Sequence, residues 1–249
     1  MSKAGKRLGA FFLMFVMVIC IAGYGNSQEN GISEQTAKNG TGTDVKAETD
    51  DTEQDSASSD KQDAQESDNT ATNGSDILVV YFSRTGEQYT VGVIDEGNTA
   101  IVAKMIADET GADLFEVLPI DDHYPMTYDA LTDVAKQEQN DNARPEYAGE
   151  VPDLSQYTTI FVGAPVWWGD WPMIMYTFFE NNADALAGKT LIPFSTHEGS
   201  GLSGFDRKLS SACPNSTIGE GLALRGNECQ NKQDSVRSTV NDWLAGLGY

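Results

Sequence analysis

Ile77-Leu78-Val79-Val80-Tyr81-Phe82 sets six apolar side chains in succession, five of them β-branched or aromatic. A strand sends alternate side chains to opposite faces, so a run of this kind is buried on both. A parallel sheet covered by helices on either side meets that requirement, and no other feature narrows the fold class as much. Thr159-Ile160-Phe161-Val162 and Thr190-Leu191-Ile192-Pro193-Phe194 repeat the signature, with weaker strands over 114–118 and 217–222. Helical periodicity fills the intervals 99–110, 128–140, 172–182 and 205–213, and a stripe of Val236, Val240, Trp243, Leu244 and Leu247 closes the chain. Asp170 is placed to cap the third of these helices, with Pro172 in its first turn. Strands alternating with helices predict an α/β fold, a three-layer doubly wound sheet of five parallel strands. Ligands in such sheets sit at the carboxyl ends of the strands, which singles out the loops after Phe82, Val162 and Phe194.

Only the last two thirds of the chain carries this pattern. Residues 8–22 are an apolar run behind Lys3, Lys6 and Arg7, the arrangement of an export signal and too short for a comfortable spanning helix. Ile21-Ala22-Gly23 resembles the lead-in to a lipid-modified cysteine, but Tyr24 follows, and Cys20 sits behind the bulky Ile19. Residues 1–25 are therefore expected to be either a cleaved signal peptide or a retained membrane anchor. Residues 26–76 hold 13 acids and 3 bases with almost no large apolar side chains, the composition of a disordered linker. Residues 77–249 remain as a single domain, with 25 acids against 10 bases, a net charge of −15. That charge argues against nucleic acid as a partner.

Each of the three loops has its own chemistry. Ser83-Arg84-Thr85-Gly86 puts hydroxyls, a glycine and free amides directly after a buried strand, a donor cluster suited to a phosphate; Asn98-Thr99 opens the delayed helix. Ala164-Pro165-Val166-Trp167-Trp168-Gly169-Asp170-Trp171 crowds three indoles into five positions at the mouth of the sheet. Exposed indoles there suit a flat aromatic ligand, while at least one is expected to fold back over the core. Ser195-Thr196-His197-Glu198-Gly199-Ser200-Gly201 lets a ligand approach the backbone closely, with His197 and Glu198 available to line or hydrogen-bond a ring.

Taken together, residues 77–86 with Asn98-Thr99, 164–169 and 192–201 resemble the three FMN-binding loops of the flavodoxin family, especially its exported and lipoprotein-type bacterial members. The resemblance implies strand order 2-1-3-4-5. It implies FMN as cofactor, its phosphate on Ser83, Arg84, Thr85, Gly86, Asn98 and Thr99. The flavin ring would lie between Ala164, Pro165, Val166, Trp167, Trp168 and Gly169 on one side and Thr196, His197, Glu198, Gly199, Ser200 and Gly201 on the other. It implies electron transfer, here outside the cytoplasmic membrane, to a redox partner protein or a small quinone-like acceptor. An NAD(P)H-dependent quinone or flavin reductase is the alternative, and a partner-binding module that has lost FMN a third. Ten residues, 87–96, interrupt the phosphate motif, and their acids Glu87, Asp95 and Glu96 would repel a phosphate if turned inward.

Gly199-Ser200-Gly201-Leu202-Ser203-Gly204 also matches a dinucleotide-binding pattern, but it follows the fourth strand rather than the first and leaves the tryptophans without a role. Cys213 and Cys229 are the cysteines of the domain, and their spacing leaves a disulfide open. With His123 and His197 the only histidines, no metal cluster is expected.

Overall fold

The computed structural model describes residues 74–249. The expected signal or anchor, 1–25, and all but the last three residues of the expected linker, 26–76, lie outside the described residues. Strand β1 (Ile77–Tyr81) leads through a hairpin of β2 (Gly86–Gln88) and β3 (Gly92–Ile94) to helix α1 (Asn98–Thr110). β4 (Asp113–Glu116) and the two-residue β5 (Leu118–Pro119) precede α2 (Tyr128–Asp141) and β6 (Tyr147–Ala148), which pairs with β5. Then come β7 (Thr159–Pro165), α3 (Met173–Asn181), α4 (Ala183–Leu186), β8 (Thr190–His197) and α5 (Phe205–Ala212). β9 (Thr217–Ile218), β10 (Leu222–Arg225), α6 (Gly226–Asn231) and α7 (Gln233–Leu247) complete the chain.

The main sheet is parallel and runs β4-β1-β7-β8, with β10 and β9 both on the outer side of β8. Counting β9 and β10 as one position, this is the order 2-1-3-4-5. The fifth strand is split because of Pro193. Leu191 O accepts from Gly219 N–H at 2.9 Å, so odd-numbered residues of β8 turn their backbone groups toward the fifth strand. Pro193 has no N–H to offer there. The chain detours at Gly219-Glu220-Gly221, where a Cβ on Gly221 would lie 2.8 Å from Pro193 O.

Alternation along β1 builds two cores. Ile77, Val79 and Tyr81 pack with α1 and α7 residues such as Val102, Ile106, Val236, Val240 and Leu244. Leu78, Val80 and Phe82 pack on the other face with Ile174, Phe178, Phe205 and Leu209 of α3 and α5. Cys213 belongs to the second of these cores and Cys229 to the first, so the sheet separates them and both are free thiols. Asp170 departs from the expected cap. Pro172 occupies the N-cap position of α3, and Asp170 Oδ1 instead accepts from Trp171 N–H at 2.8 Å and Tyr176 O–H at 2.9 Å. Proline at the cap displaces the aspartate by two positions and leaves its carboxylate to tie the preceding turn.

Candidate functional site

The three loops lie at the carboxyl ends of β1, β7 and β8, where the second and third, with Asn98 of α1, line a cleft of about 330 Å³; Ser83, Arg84, Thr85, Gly86 and Thr99 are outside its lining. Of the expected residues, Pro165, Val166, Trp167 and Trp168 of the second loop line it, as do Thr196, His197, Glu198, Gly199 and Ser200 of the third. Asn98 lines it beside Glu198: a Cβ on Gly226 would lie 2.3 Å from Asn98 Nδ2 and 3.0 Å from Glu198 Oε1. Ala164 is buried beneath it at the end of β7, and Gly169 and Gly201 lie in the turns just beyond its lining.

The first loop lies against the start of α1. Ser83 Oγ accepts from Ala100 N–H at 3.0 Å. α1 has Gly97 at its N-cap, with no side chain of its own, so Ser83 caps only the Ala100 amide and the amides of Asn98 and Thr99 have no cap among the described residues. Gly97 is there because nothing larger fits: a Cβ would fall 2.1 Å from Ser83 Oγ and 2.8 Å from Arg84 O. Thr85 follows partly exposed, and Gly86 turns the chain with a φ of 86°. Thr99 is buried and shares a 2.8 Å hydrogen bond between its hydroxyl and that of Thr196, joining the first loop to the third. Asn98 Oδ1 accepts from Gln230 Nε2 at 2.8 Å. The Arg84 side chain is placed elsewhere: its guanidinium donates to both oxygens of Asp122, at 2.7 and 2.9 Å, and to Tyr124 O at 2.8 Å.

The three indoles take three different positions. Trp171 is 1% exposed, stacks on Phe205 at 3.6 Å and donates to Phe205 O, and so belongs to the core. Trp167 is half-buried and stands edge-on to Phe82 and Tyr124. Trp168 is 53% exposed. Trp167 and Asp170 exchange backbone hydrogen bonds across a two-residue turn, in which Trp168 and Gly169 have φ of 49° and 72°. Both central positions are left-handed, as the tightest hairpin turns require, and that backbone projects the Trp168 ring from the loop. α2 holds it there, with Trp168 Nε1–H donating to Thr132 O at 2.8 Å and the Lys136 ammonium 5.1 Å from the ring.

In the third loop His197 Nδ1 accepts from Gly199 N–H at 2.9 Å, which puts the ring proton of the neutral imidazole on Nε2. Burial, then the neighbouring Arg225 guanidinium, holds His197 below the usual imidazole range. Glu198 is committed to the backbone: its Oε1 accepts from Asn227 N–H at 2.6 Å, at the start of α6. The His197 shift carries a sign. The unfolded chain takes up the proton more readily, so stability falls as pH drops through the ordinary imidazole range. Between about pH 7.5 and about pH 5.5 the wild-type urea midpoint is expected to fall relative to that of His197→Gln, a difference from which the other titrating groups, His123 included, cancel. Equal losses in both proteins would refute the assignment.

Two walls of the cleft were not found in the sequence. The insertion folds as the β2–β3 hairpin and brings Gln88, Tyr89 and Val91 to the rim. α2 contributes Tyr128, Leu131, Thr132 and Ala135, and Gly226 closes the base. Tyr89 and Tyr128 are neighbours, their ring centroids 5.4 Å apart. The only advance signal was an aromatic residue inside a polar insertion. The acids of the insertion are occupied or outside: Glu87 Oε2 accepts from Tyr128 N–H at 3.0 Å, Glu96 pairs with Lys104 at 2.6 Å, and Asp95 is exposed.

These residues fit a phosphate-bearing flat ligand. A helix start with two uncapped amides and a hydroxyl turn meet at a glycine contact, beside a cleft walled by tyrosine and tryptophan rings. The sequence model of the family described as Flavodoxin matches residues 76–243. Among solved structures, the chain is similar to a candidate flavoprotein of Bacteroides eggerthii. The two are 27% identical, with a TM-score of 0.55, over 70% of this chain and 98% of that one. A second candidate flavoprotein, from Bacteroides uniformis, is 29% identical with a TM-score of 0.54, over 69% of this chain and 99% of that one. No curated protein matches the chain.

Proposed function

The chain belongs to the flavodoxin family, and from that premise we propose that it holds FMN in this cleft and passes electrons through it outside the cytoplasmic membrane. The observation that carries the proposal is the junction of the start of α1 with the Ser83 turn, from which Asn98 reaches the lining of the aromatic cleft. Ser83, Thr85, Gly86, Asn98 and Thr99 would surround the phosphate through backbone amides and hydroxyls, without needing the Arg84 side chain. Trp167, Trp168 and Tyr89 would cover the ring and keep water from it, and His197 would offer its Nε2–H. FMN, when bound, supplies the exchange of one or two electrons. The chain's own part is to bind, orient and shield. Export rests on the basic and apolar start of the sequence. The partner is proposed to be a redox protein or a small quinone-like acceptor.

The full-length chain, purified after expression, is expected to be yellow, with flavin absorbance and with FMN as the released cofactor by mass. A colourless protein whose tryptophan fluorescence does not change on adding FMN would sink the proposal. Oxidation of NAD(P)H with a quinone and no added reductase would move the reading from carrier to enzyme.

A further inference from the structure

Residues 121–126, between β5 and α2, carry an ionic cluster that the cofactor reading does not use. His123 Nε2 lies 2.9 Å from Glu138 Oε1, and His123 Nδ1 lies 2.9 Å from Asp121 O. A carboxylate and a carbonyl are both acceptors, so each ring nitrogen must carry a proton, which makes His123 an imidazolium facing an anionic Glu138. Tyr124 O–H donates to the other oxygen of Glu138 at 3.1 Å, and Glu138 is only 8% exposed. On the opposite flank, the Arg84 guanidinium forks onto Asp122 and Tyr124 O and lies over the Tyr124 ring, 5.4 Å from its centroid. The Arg84 side chain is buried, its Nε without a partner among the described residues, and burial encloses the group rather than presenting it to a ligand.

The clamped segment supports two walls of the cleft. Tyr124 stands edge-on to Trp167 at 5.2 Å. Met126 O accepts from Glu87 N–H at 2.8 Å, fixing the base of the hairpin that carries Tyr89. We propose that Arg84 and the His123–Glu138 pair are positioning residues of the cofactor cleft, clamping residues 121–126 so that Trp167 and the Tyr89 hairpin are held in place. The proposal rests on the FMN reading of the cleft.

The clamp is pH-dependent. Partial burial disfavours charge on His123, but its hydrogen bonds to Glu138 and the Asp121 carbonyl, with the charges of Glu138 and Asp122, outweigh burial and raise it above the usual imidazole range. The charged groups around it are Asp121, Asp122, Glu138 and Arg84, with Tyr124 kept neutral, chiefly by burial and then by the Glu138 charge. A raised histidine stabilises fully at low pH, and its contribution is lost as pH rises through the raised value.

The tests use the full-length chain. Arg84→Lys keeps the positive charge but loses the fork, so it separates a clamp from a phosphate ligand. Both Arg84→Lys and Arg84→Gln are expected to weaken FMN binding by about tenfold, and by similar factors. If lysine binds FMN as the wild type does while glutamine fails, Arg84 serves the phosphate and the proposal is overturned. In FMN-free protein, nitrogen NMR over a pH series is expected to find both His123 ring nitrogens protonated up to a higher pH in the wild type than in Glu138→Gln. Exchange protection of the Glu87 amide, relative to β1, is expected to fall with rising pH in the wild type and to be low throughout in Glu138→Gln. A His123 that loses its second ring proton at the same pH in both proteins, or unchanged Glu87 protection, would refute the clamp. If the wild type takes up no FMN, the cofactor reading fails, while the FMN-free measurements still judge the clamp.

Discussion

Trp171→Ala is expected to destabilise the domain by about 3–5 kcal/mol, because it empties a fully buried indole site and removes a stacked ring. Trp171 stacks on Phe205 at 3.6 Å, meets Phe179 edge-on and is 1% exposed, so its neighbours have little freedom to collapse inward. Against the roughly 5–15 kcal/mol that a domain has in total, this is a large fraction, visible as an earlier urea midpoint with an unchanged slope. Trp168→Gly, three residues earlier, is expected to behave in the opposite way. The native φ of 49° suits glycine, and relief of that conformation, about 1 kcal/mol, offsets the lost bond to Thr132 O. Its midpoint should stay close to the wild type while FMN affinity drops by about tenfold or more through loss of a stacking wall. A Trp168→Gly protein that unfolds as early as Trp171→Ala, or binds FMN normally, would contradict this division of labour.

Gly97→Ala is the second large effect, and it acts through space rather than through backbone conformation. Gly97 has φ −67° and ψ 142°, which alanine adopts freely. The added Cβ, however, would lie 2.1 Å from Ser83 Oγ, 2.8 Å from Arg84 O and 3.0 Å from Arg84 N. Ser83 can rotate only by giving up its bond to Ala100 N–H, and the Arg84 backbone cannot rotate at all. The first loop and the start of α1 must therefore separate, at about 1–3 kcal/mol. The larger consequence is expected in binding: the amides proposed to hold the phosphate move apart, and flavin absorbance is lost from the purified protein while circular dichroism still reports a folded domain. Retention of FMN at wild-type affinity would show that the phosphate does not sit at this junction.

Much of the fold was legible because its signals are local. The apolar run at Ile77 and the stripe through Val236, Val240 and Leu244 each report their own burial, with no need to know their neighbours. The split of the fifth strand was written in Pro193, yet became visible only when Leu191 showed which edge of β8 faces that strand. The hairpin at 86–94 has no signature in the sequence beyond an interruption, because its strands are three residues each and carry no clear alternation.

At the site, residue type alone located the three loops and the crowding of indoles. It did not assign the partners of the charged groups. Arg84, beside two hydroxyl residues and a glycine, has the chemistry of a phosphate ligand, but Asp122 lies 38 positions away in sequence and 2.7 Å away in space. Glu198 likewise reads as a group free to meet a ring until α6 brings the Asn227 amide to it. Amino-acid order by itself determined the layered parallel sheet and the end at which its loops gather, since both follow from side-chain periodicity. Tertiary structure alone decided which indole is core and which is wall, and which cation is spent on the protein itself. Those outcomes depend on partners brought together by folding across dozens of residues, and no local pattern records such a distance.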